Sequence, residues 1–237
     1  MQIKILGTRG EIKPSIQYHS HHSGVLIDGK ILFDIGEKEF LNYHPTHIFI
    51  THLHPDHAYF VRKNHSNNFD FQIPVYAPEP YNNKPEIKII SKKLKIKSYD
   101  IIPIPTHHSK KVESVTYLIQ QKNQRILYTG DLIWINKEHH HLLKDLDLVI
   151  TEASFIQKNG MVRRDKETGQ IYGHAGIPKL LSLFKKFSSS ILLTHFGEWF
   201  YENIPHSRKQ LYNLGKKHKV NVIVGYDGLK LDVSNLL

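Results

Sequence analysis

Short apolar runs rich in β-branched residues recur along this chain, and most of them end at Gly, Pro or Asp. Such runs predict β-strands, because branched side chains pack well on a pleated surface and turn residues interrupt the pattern. Asp28-Gly29, between two of these runs, predicts a tight hairpin turn. The predicted strands are Ile3–Leu6, Gly24–Ile27, Ile31–Asp34, His47–Thr51, Ile73–Tyr76, Ile87–Ile90, Leu94–Ile104, Ser114–Gln120, Gln124–Thr129, Leu148–Thr151, Ile191–Thr194 and Val220–Val224.

Helical patterns are fewer, and the predicted helices are Pro55–Lys63, Glu138–Leu146, Ile177–Phe187 and Ser207–His218. The strands come first in hairpins and later alternate with helices. This order favours an α/β fold, with two mixed β-sheets covered by helices on the outside, over a doubly wound parallel sheet. Neither a linker nor a repeat interrupts the sequence, so residues 1–237 are predicted to form a single domain.

Composition limits the chemistry and the partners. The chain has no Cys, so any bound metal ion must be held by His and carboxylate side chains. Its 32 Lys and Arg residues against 22 Asp and Glu residues give a formal charge of +10, which favours phosphate-bearing partners; a solvated lysine-rich surface is the alternative. The sequence shows neither a signal-peptide pattern nor an apolar run that could span a membrane. We therefore expect a cytoplasmic protein without a membrane partner.

A His-x-His-x-Asp-His segment places three imidazoles and a carboxylate directly after an apolar strand. Residues two apart on an extended chain point to the same side, so His52 and His54 are placed to bind one metal ion together. Pro55 suits the first position of a helix, and we expect Asp56 and His57 to open that helix and to face a second ion. Chance clustering among 18 histidines is the alternative, but the interposed Asp and the intact spacing argue against it.

Other predicted strands also end in candidate ligands, at the positions where a rigid scaffold can deliver side chains to one point. These candidates are His107 or His108, Asp131 and His195. Adjacent residues on an extended segment point to opposite faces, so only one of His107 and His108 is expected to bind metal. Taken alone, Asp131 could be a helix cap and His195 a buried structural histidine. Taken together, these strand ends supply enough ligands for two ions.

In this order, the His-x-His-x-Asp-His segment, the later His, the Gly-Asp after a strand and the final Thr-His resemble the motifs of the metallo-β-lactamase superfamily. Within it, the chain is most similar to the phosphodiesterase branch that includes ribonuclease Z and the cyclic-phosphate phosphodiesterases. The resemblance extends over nearly the full length and implies an αββα sandwich with its site along one edge of the sheets. Further segments in the expected order are Gly7-Thr8, Phe33-Asp34-Ile35-Gly36-Glu37, Thr151-Glu152-Ala153-Ser154 and His174-Ala175-Gly176.

The resemblance also implies two divalent metal ions, with zinc as the expected metal and manganese as the alternative. The implied ligands are His52, His54 and His108 for the first ion, Asp56, His57 and His195 for the second, and Asp131 as the bridge between them. The family's His-Ser order favours His108 over His107. Such a bridge would keep the ions close enough to share a hydroxide that attacks phosphorus.

In ribonuclease Z-like enzymes, a His after a Glu-containing strand lies over the substrate phosphate, and Glu152 and His174 match those positions. A carboxylate beside an imidazole raises the imidazole pKa and fixes its tautomer, as a general acid requires. The resemblance thus implies catalytic roles for Asp56, Glu152 and His174. The structural alternative is that Glu152 only caps its strand and that His174 begins a helix.

Two departures from ribonuclease Z bear on the substrate. Its long tRNA-clamping arm has no room between His108 and Asp131, so pre-tRNA is not the expected substrate. The polar residues 157–169 are instead expected to form a loop over the site. Arg163 and Arg164 on this loop are candidates for binding substrate phosphate, and two solvated loop charges are the alternative.

The sequence therefore predicts a dinuclear metal phosphodiesterase that acts on nucleic acid or on a small nucleotide-like, for example cyclic, phosphodiester. Hydrolysis of a carboxylic ester, lactone or thioester is the second hypothesis. A metal-stabilised nucleic-acid-binding module without turnover is the third. The choice between a monomer and a homodimer stays open.

Overall fold

The computed structural model describes residues 1–62, 71–81 and 86–236. Its strands are β1 (Gln2–Gly7), β2 (Gly24–Ile27), β3 (Ile31–Phe33), β4 (His47–Phe49), β5 (Val75–Ala77), β6 (Ile87–Ile89), β7 (Leu94–Ile96), β8 (Tyr99–His107), β9 (Val115–Gln121), β10 (Gln124–Tyr128), β11 (Trp134–Ile135), β12 (Leu148–Ala153), β13 (Met161–Arg164), β14 (Ile171–His174), β15 (Ser190–Phe196), β16 (Asn221–Val224) and β17 (Lys230–Asp232). Its α-helices are α1 (Ile177–Phe184), α2 (Glu198–Glu202) and α3 (Ile204–His218). Its 3₁₀ segments are Lys38–Tyr43, Tyr59–Val61, Lys137–Leu143 and Val233–Asn235.

Two mixed sheets form the centre of the molecule. The first has the order β17-β1-β2-β3-β4-β5-β6, antiparallel from β17 to β3 and parallel from β3 to β6. The second has the order β11-β8-β9-β10-β12-β15-β16, with β7 also paired to β8. Its strands are antiparallel up to β10 and parallel from β10 to β16. The predicted pair of mixed sheets is confirmed.

Side chains along the central strands alternate between two apolar clusters, one between the sheets and one under the helices. In β12, Leu148 and Ile150 belong to the apolar cluster that joins the two sheets. The intervening Val149, and Ala153 further on, belong to the cluster that α1 and α3 cover. Successive residues of a strand face opposite sides of a sheet, so an apolar run buried on both faces is expected for a central parallel strand.

A third apolar cluster covers the outer face of the first sheet, where Phe40 and Phe60 of two 3₁₀ segments pack. Helical segments thus lie on both outer faces, and the predicted αββα sandwich is confirmed. In the described part of the chain, no helix is long and apolar enough to cross a membrane.

The predicted helix Pro55–Lys63 is a turn followed by the 3₁₀ segment Tyr59–Val61 instead of an α-helix, and its last residue lies outside the described residues. The segment begins with a turn in which the His57 N–H donates to the His54 carbonyl over 3.0 Å. Ile35 then donates its N–H to the His57 carbonyl and accepts from the Tyr59 N–H. Since these backbone groups pair with another segment, they are not available for a helical ladder.

Three further predictions differ from the structure. The predicted strand Leu94–Ile104 is a hairpin of β7 and β8, because the chain turns at Lys97 with φ +51°. The predicted helix Glu138–Leu146 is a 3₁₀ segment. Residues 157–169, predicted as a loop, contain β13, which pairs with β14. This β13–β14 hairpin ends at His174 and therefore positions that residue.

Candidate metal centre

The predicted metal ligands come from different strand ends that converge on one place. His52, His54, Asp56 and His57 follow β4, His108 follows β8, Asp131 follows β10 and His195 lies near the end of β15. Their nitrogen and oxygen atoms form two groups, each with its members within 4.8 Å of one another, and a third, overlapping group joins His108 and Asp131 to His174. The first group is His52, His54 and His108, and the second group is Asp56, His57, Asp131 and His195.

The first group consists of imidazoles alone. Its tightest contact is between His108 Nε2 and His54 Nδ1, which lie 3.2 Å apart. Burial is the main cause that holds the pKa of His52 well below its usual value and lowers the pKa of His54 to about 4. These side chains are therefore neutral at pH 7, which is the form that binds metal.

His107 points away from the first group, as the neighbour of a site residue on a strand must. Its ring stacks on Trp134 with centroids 4.5 Å apart, and its Nε2 lies 2.9 Å from the Asn136 amide oxygen. His108 instead donates from Nδ1 to the Gly173 carbonyl over 3.0 Å, which leaves its Nε2 facing the group. The structure thus brings His108, not His107, to the centre.

Asp131 faces both groups with different oxygens. Its Oδ2 lies 3.8 Å from His52 Nε2 and 3.7 Å from His108 Nε2. Its Oδ1 lies 3.4 Å from both His57 Nε2 and His195 Nε2. Burial opposes ionisation of this carboxyl, but the adjacent imidazoles, His195 first, outweigh it and hold the pKa of Asp131 well below its usual value. An ionised carboxylate in this position can bridge two cations.

Three atoms of the centre are buried without a hydrogen-bond partner in the described part of the chain, namely His52 Nε2, His57 Nε2 and Asp131 Oδ1. A buried polar atom left unpaired costs about 1–3 kcal/mol, and all three atoms point toward the other ligands. Cations held by the two groups would satisfy them. Nitrogen donors combined with carboxylate oxygens suit divalent transition-metal ions.

Residues behind the ligands fix their orientation. His57 Nδ1 lies 2.6 Å from Asp34 Oδ2, and the Tyr128 hydroxyl donates to the same oxygen over 2.8 Å. His195 Nδ1 lies 3.0 Å from Ser154 Oγ. These contacts direct the Nε2 atoms to the centre, as outer partners of metal-binding histidines do. No local pattern predicts these roles of Asp34 and Ser154; the available signal was a charged residue, Asp34, directly after the apolar strand β3.

His174 and Glu152 lie beside the two groups. Glu152 Oε2 is 2.7 Å from His174 Nδ1, and Glu152 Oε1 accepts from the Leu132 N–H over 2.8 Å. His174 Nδ1 also lies 3.8 Å from Asp131 Oδ2. Burial opposes protonation of His174, but Glu152 and then Asp131 outweigh it and raise its pKa to about 9. His174 is thus an imidazolium at neutral pH, and its Nε2 is not engaged by Glu152.

A family description, "Beta-lactamase superfamily domain", matches residues 40–196, a range that contains both groups, Glu152 and His174. The chain belongs to the beta-lactamase superfamily. The resemblance inferred from its motifs is thereby confirmed. Members of this superfamily are metal-dependent hydrolases. Among curated proteins, no sequence matches the chain.

Solved structures of the same fold cover 98% of this chain. The metallo-beta-lactamase fold protein YhfI from Bacillus subtilis has a TM-score of 0.68 at 17% identity, over 99% of its own chain. The short form of human tRNase Z has a TM-score of 0.64 at 18% identity, over 99% of its chain. A diphosphatase from the PhnP family has a TM-score of 0.65 at 18% identity, over 97% of its chain. At these identities, the likeness shows the fold.

A cavity of about 740 Å³ opens onto the metal centre. It is lined by ligand residues and by His174, and also by residues from the segment after β1, from the segment after β12 and from α2. Pockets for small molecules typically measure roughly 300–1,000 Å³. The cavity therefore offers a substrate space next to the ligands.

Arg163 and Arg164 lie on β13, where both side chains are exposed. The Arg164 guanidinium donates to the Gly169 carbonyl over 3.0 Å. Met161, at the start of the same strand, lines the cavity, whereas neither arginine is among its described lining residues. The predicted contact of these arginines with substrate stays a prediction.

Proposed function

We propose that the protein is a metal-dependent phosphodiesterase that holds two divalent ions, zinc in the first instance and manganese as the alternative. The first group and the second group would each hold one ion, with Asp131 between them. The observation that carries this proposal is Asp131, whose two oxygens face two separate sets of donors at the bottom of a cavity. Bound ions would supply Lewis acidity and an activated water nucleophile.

His174 supplies the proton that a leaving alkoxide needs. Glu152 holds Nδ1 of the imidazolium, so Nε2 is the atom that donates to the leaving oxygen. The contribution of Asp131 to the raised pKa of His174 falls when cations share that carboxylate. The contribution of Glu152 remains, because both of its oxygens are engaged away from the ligands, with His174 and the Leu132 N–H.

Two features support a phosphodiester over a carboxylic ester. An imidazolium on the cavity wall attracts an anionic substrate, whereas a neutral ester gains nothing from its charge. The net charge of +10 favours the same substrates at long range. Two proteins of the same fold, a tRNase Z and a PhnP-family diphosphatase, have names that refer to the cleavage of phosphate bonds.

Matched nitrophenyl substrates test the proposal. We expect the metal-loaded protein to release nitrophenol from bis(p-nitrophenyl) phosphate with a higher kcat/KM than from p-nitrophenyl acetate. The reverse order would assign the site to acyl chemistry. Release from neither substrate, with metal shown to be bound, would favour a binding module without turnover.

A further inference from the structure

Part of the cavity wall has a charge that the composition does not predict. It is lined by three glutamates, Glu11, Glu198 and Glu202, together with the aromatic residues Phe155 and Trp199. Although the chain as a whole carries a formal charge of +10, no Lys or Arg is among the described residues that line this cavity. The field close to the substrate is thus locally negative outside the metal centre.

The three glutamates have no counter-charge within the described residues. Each side chain is exposed, and no ion pair or side-chain hydrogen bond joins any of them to another described residue. Each of the three carboxylates contributes a formal charge of −1. This wall therefore presents negative charge that is free to pair with a ligand.

Trp199 lies between two of these glutamates in the sequence of α2, and its ring is held in place. Its indole N–H donates to the Ala153 carbonyl over 3.1 Å, so its polar atom is already engaged. The ring that lines the cavity can then interact only through its apolar surface. Aromatic rings combined with carboxylates are the surroundings that bind quaternary ammonium groups.

The cavity joins these side chains to the candidate metal centre. Asp131 lines it, is 3% exposed, and has an Oδ1 atom without a hydrogen-bond partner in the described structure. The volume of about 740 Å³ suits a small molecule that spans from the metal centre to α2. A polynucleotide would instead bring further phosphates against the glutamates, which repel them.

We propose that the substrate is a small phosphodiester in which one alcohol arm carries a permanent positive charge. Its phosphate would lie at the metal centre, and its cationic arm would lie against Trp199, Glu198 and Glu202. This inference rests on the proposed phosphodiesterase function and adds the chemical class of its substrate. The metal centre and the acidic part of the cavity wall then suit the two ends of one zwitterionic molecule.

Two isosteric substrates test the inference, p-nitrophenyl phosphorylcholine and 3,3-dimethylbutyl p-nitrophenyl phosphate. They release the same nitrophenolate and differ only in a charged nitrogen against a neutral carbon. We expect kcat/KM to favour the cationic substrate by about tenfold, the scale of a cation bound by an aromatic ring and carboxylates. The double variant Glu198→Gln, Glu202→Gln should reduce this preference to less than about threefold, because the cationic substrate loses its carboxylate contacts.

A second charge-matched variant, Glu138→Gln with Glu167→Gln, changes exposed glutamates away from the cavity and should keep the full preference. Equal kcat/KM for the two substrates, or a preference that survives the Glu198 and Glu202 substitutions, would overturn the inference.

Calorimetric binding of phosphorylcholine and of 3,3-dimethylbutyl phosphate separates this inference from the proposed function. If neither diester is hydrolysed, the proposed function fails. Tighter binding of phosphorylcholine, lost in the double variant, would still support the cationic subsite, and equal binding would overturn it.

Discussion

Asp131 is the residue on which the arrangement of the centre depends, because its two oxygens face different histidines. Asp56, in contrast, contacts His57 and His195 of the second group through one oxygen. The two carboxylates therefore have different expected effects on metal content.

We expect Asp131→Ala to lose most of both metal ions and all measurable activity, since each group loses an oxygen ligand. Asp56→Ala should retain the first ion better than the second. Elemental analysis of the purified variants gives the stoichiometry directly. His107→Ala, a histidine outside the centre, should keep the full metal content. An Asp131→Ala protein with unchanged stoichiometry would contradict the bridge.

The role of His174 can be tested with substrates that have different leaving groups, because a proton donor matters only when the leaving group needs a proton. We expect His174→Ala to lower turnover of an alkyl phosphodiester by about a hundredfold or more, the usual scale of general acid catalysis. With nitrophenolate as the leaving group, the loss should be much smaller. Equal losses on both substrates would indicate a phosphate-binding or structural role.

Among individual residues, the spacing of His and Asp along the sequence was enough to predict the candidate metal ligands. The His-x-His-x-Asp-His segment and the residues after later strands all lie at the centre. Asp34, Ser154 and Trp199 were not assigned, because their roles depend on contacts between distant segments and not on a local pattern.

Among the elements, the β13–β14 hairpin shows why composition alone gave a wrong prediction, a loop, for residues 157–169. Its exposed, polar residues have the composition of a loop, yet Met161 pairs with His174 and Arg163 with Tyr172. Gly173 adopts φ +118°, and a Cβ there would lie 1.9 Å from the Met161 carbonyl oxygen. Only glycine fits this close pairing.

The same hairpin tests the predicted role of its arginine pair. Because neither Arg163 nor Arg164 lines the cavity, Arg163→Ala with Arg164→Ala should leave KM for bis(p-nitrophenyl) phosphate unchanged. An effect on KM, with a flatter salt dependence, is expected only for oligonucleotides long enough to leave the cavity. Steady-state kinetics at two salt concentrations measure both. A raised KM for the small substrate would place the pair inside the binding site.

The segment after β3 carries a pH-dependent contribution to stability. Burial favours the neutral form of Glu37, but the His22 N–H, which donates over 3.1 Å, the His22 ring and Arg62, at 3.3 Å, together lower its pKa to about 2. A carboxyl with a lowered folded pKa stabilises above its unfolded value, near 4.5, and loses that contribution as the pH falls toward 2.

Wild-type protein should therefore be more stable than Glu37→Gln at pH 7, by about 1.5–3 kcal/mol. By pH 3.5 this advantage should shrink by about 1 kcal/mol. Chemical denaturation at both pH values measures the free energies of unfolding. Glu39→Gln, an exposed carboxylate of the adjacent 3₁₀ segment, serves as the control and should show no such change. A constant difference for Glu37→Gln would refute the lowered pKa.

For the whole molecule, the order of hairpins and later strand–helix units was enough to predict the fold class. The details that differed, such as the turn at Pro55 or the break at Lys97, are set by a few backbone hydrogen bonds and one left-handed residue. Periodicity does not encode such features. The acidic part of the cavity wall was not predicted either, because the net charge of the whole chain does not show how charge is distributed between its surfaces.

The path from His108 to Asp131 consists of the β9–β10 hairpin and short connections, and it carries no arm. We therefore expect a pre-tRNA to be cleaved no faster than an unstructured RNA of equal length. Initial rates measured side by side at one salt concentration decide this. A clear preference for the folded precursor would assign the chain to tRNA processing despite the missing arm.

The backbone contact between Gly173 and His108 runs in both directions, since the Gly173 N–H also donates to the His108 carbonyl over 2.6 Å. The β13–β14 hairpin is thus hydrogen-bonded directly to the candidate ligand His108. By thermodynamic linkage, a molecule that binds the hairpin only in the conformation that metal also favours must raise the affinity for metal, and metal must raise the affinity for that molecule by the same factor. Metal titrations with and without a compound directed at the hairpin would measure this reciprocity as a single coupling free energy.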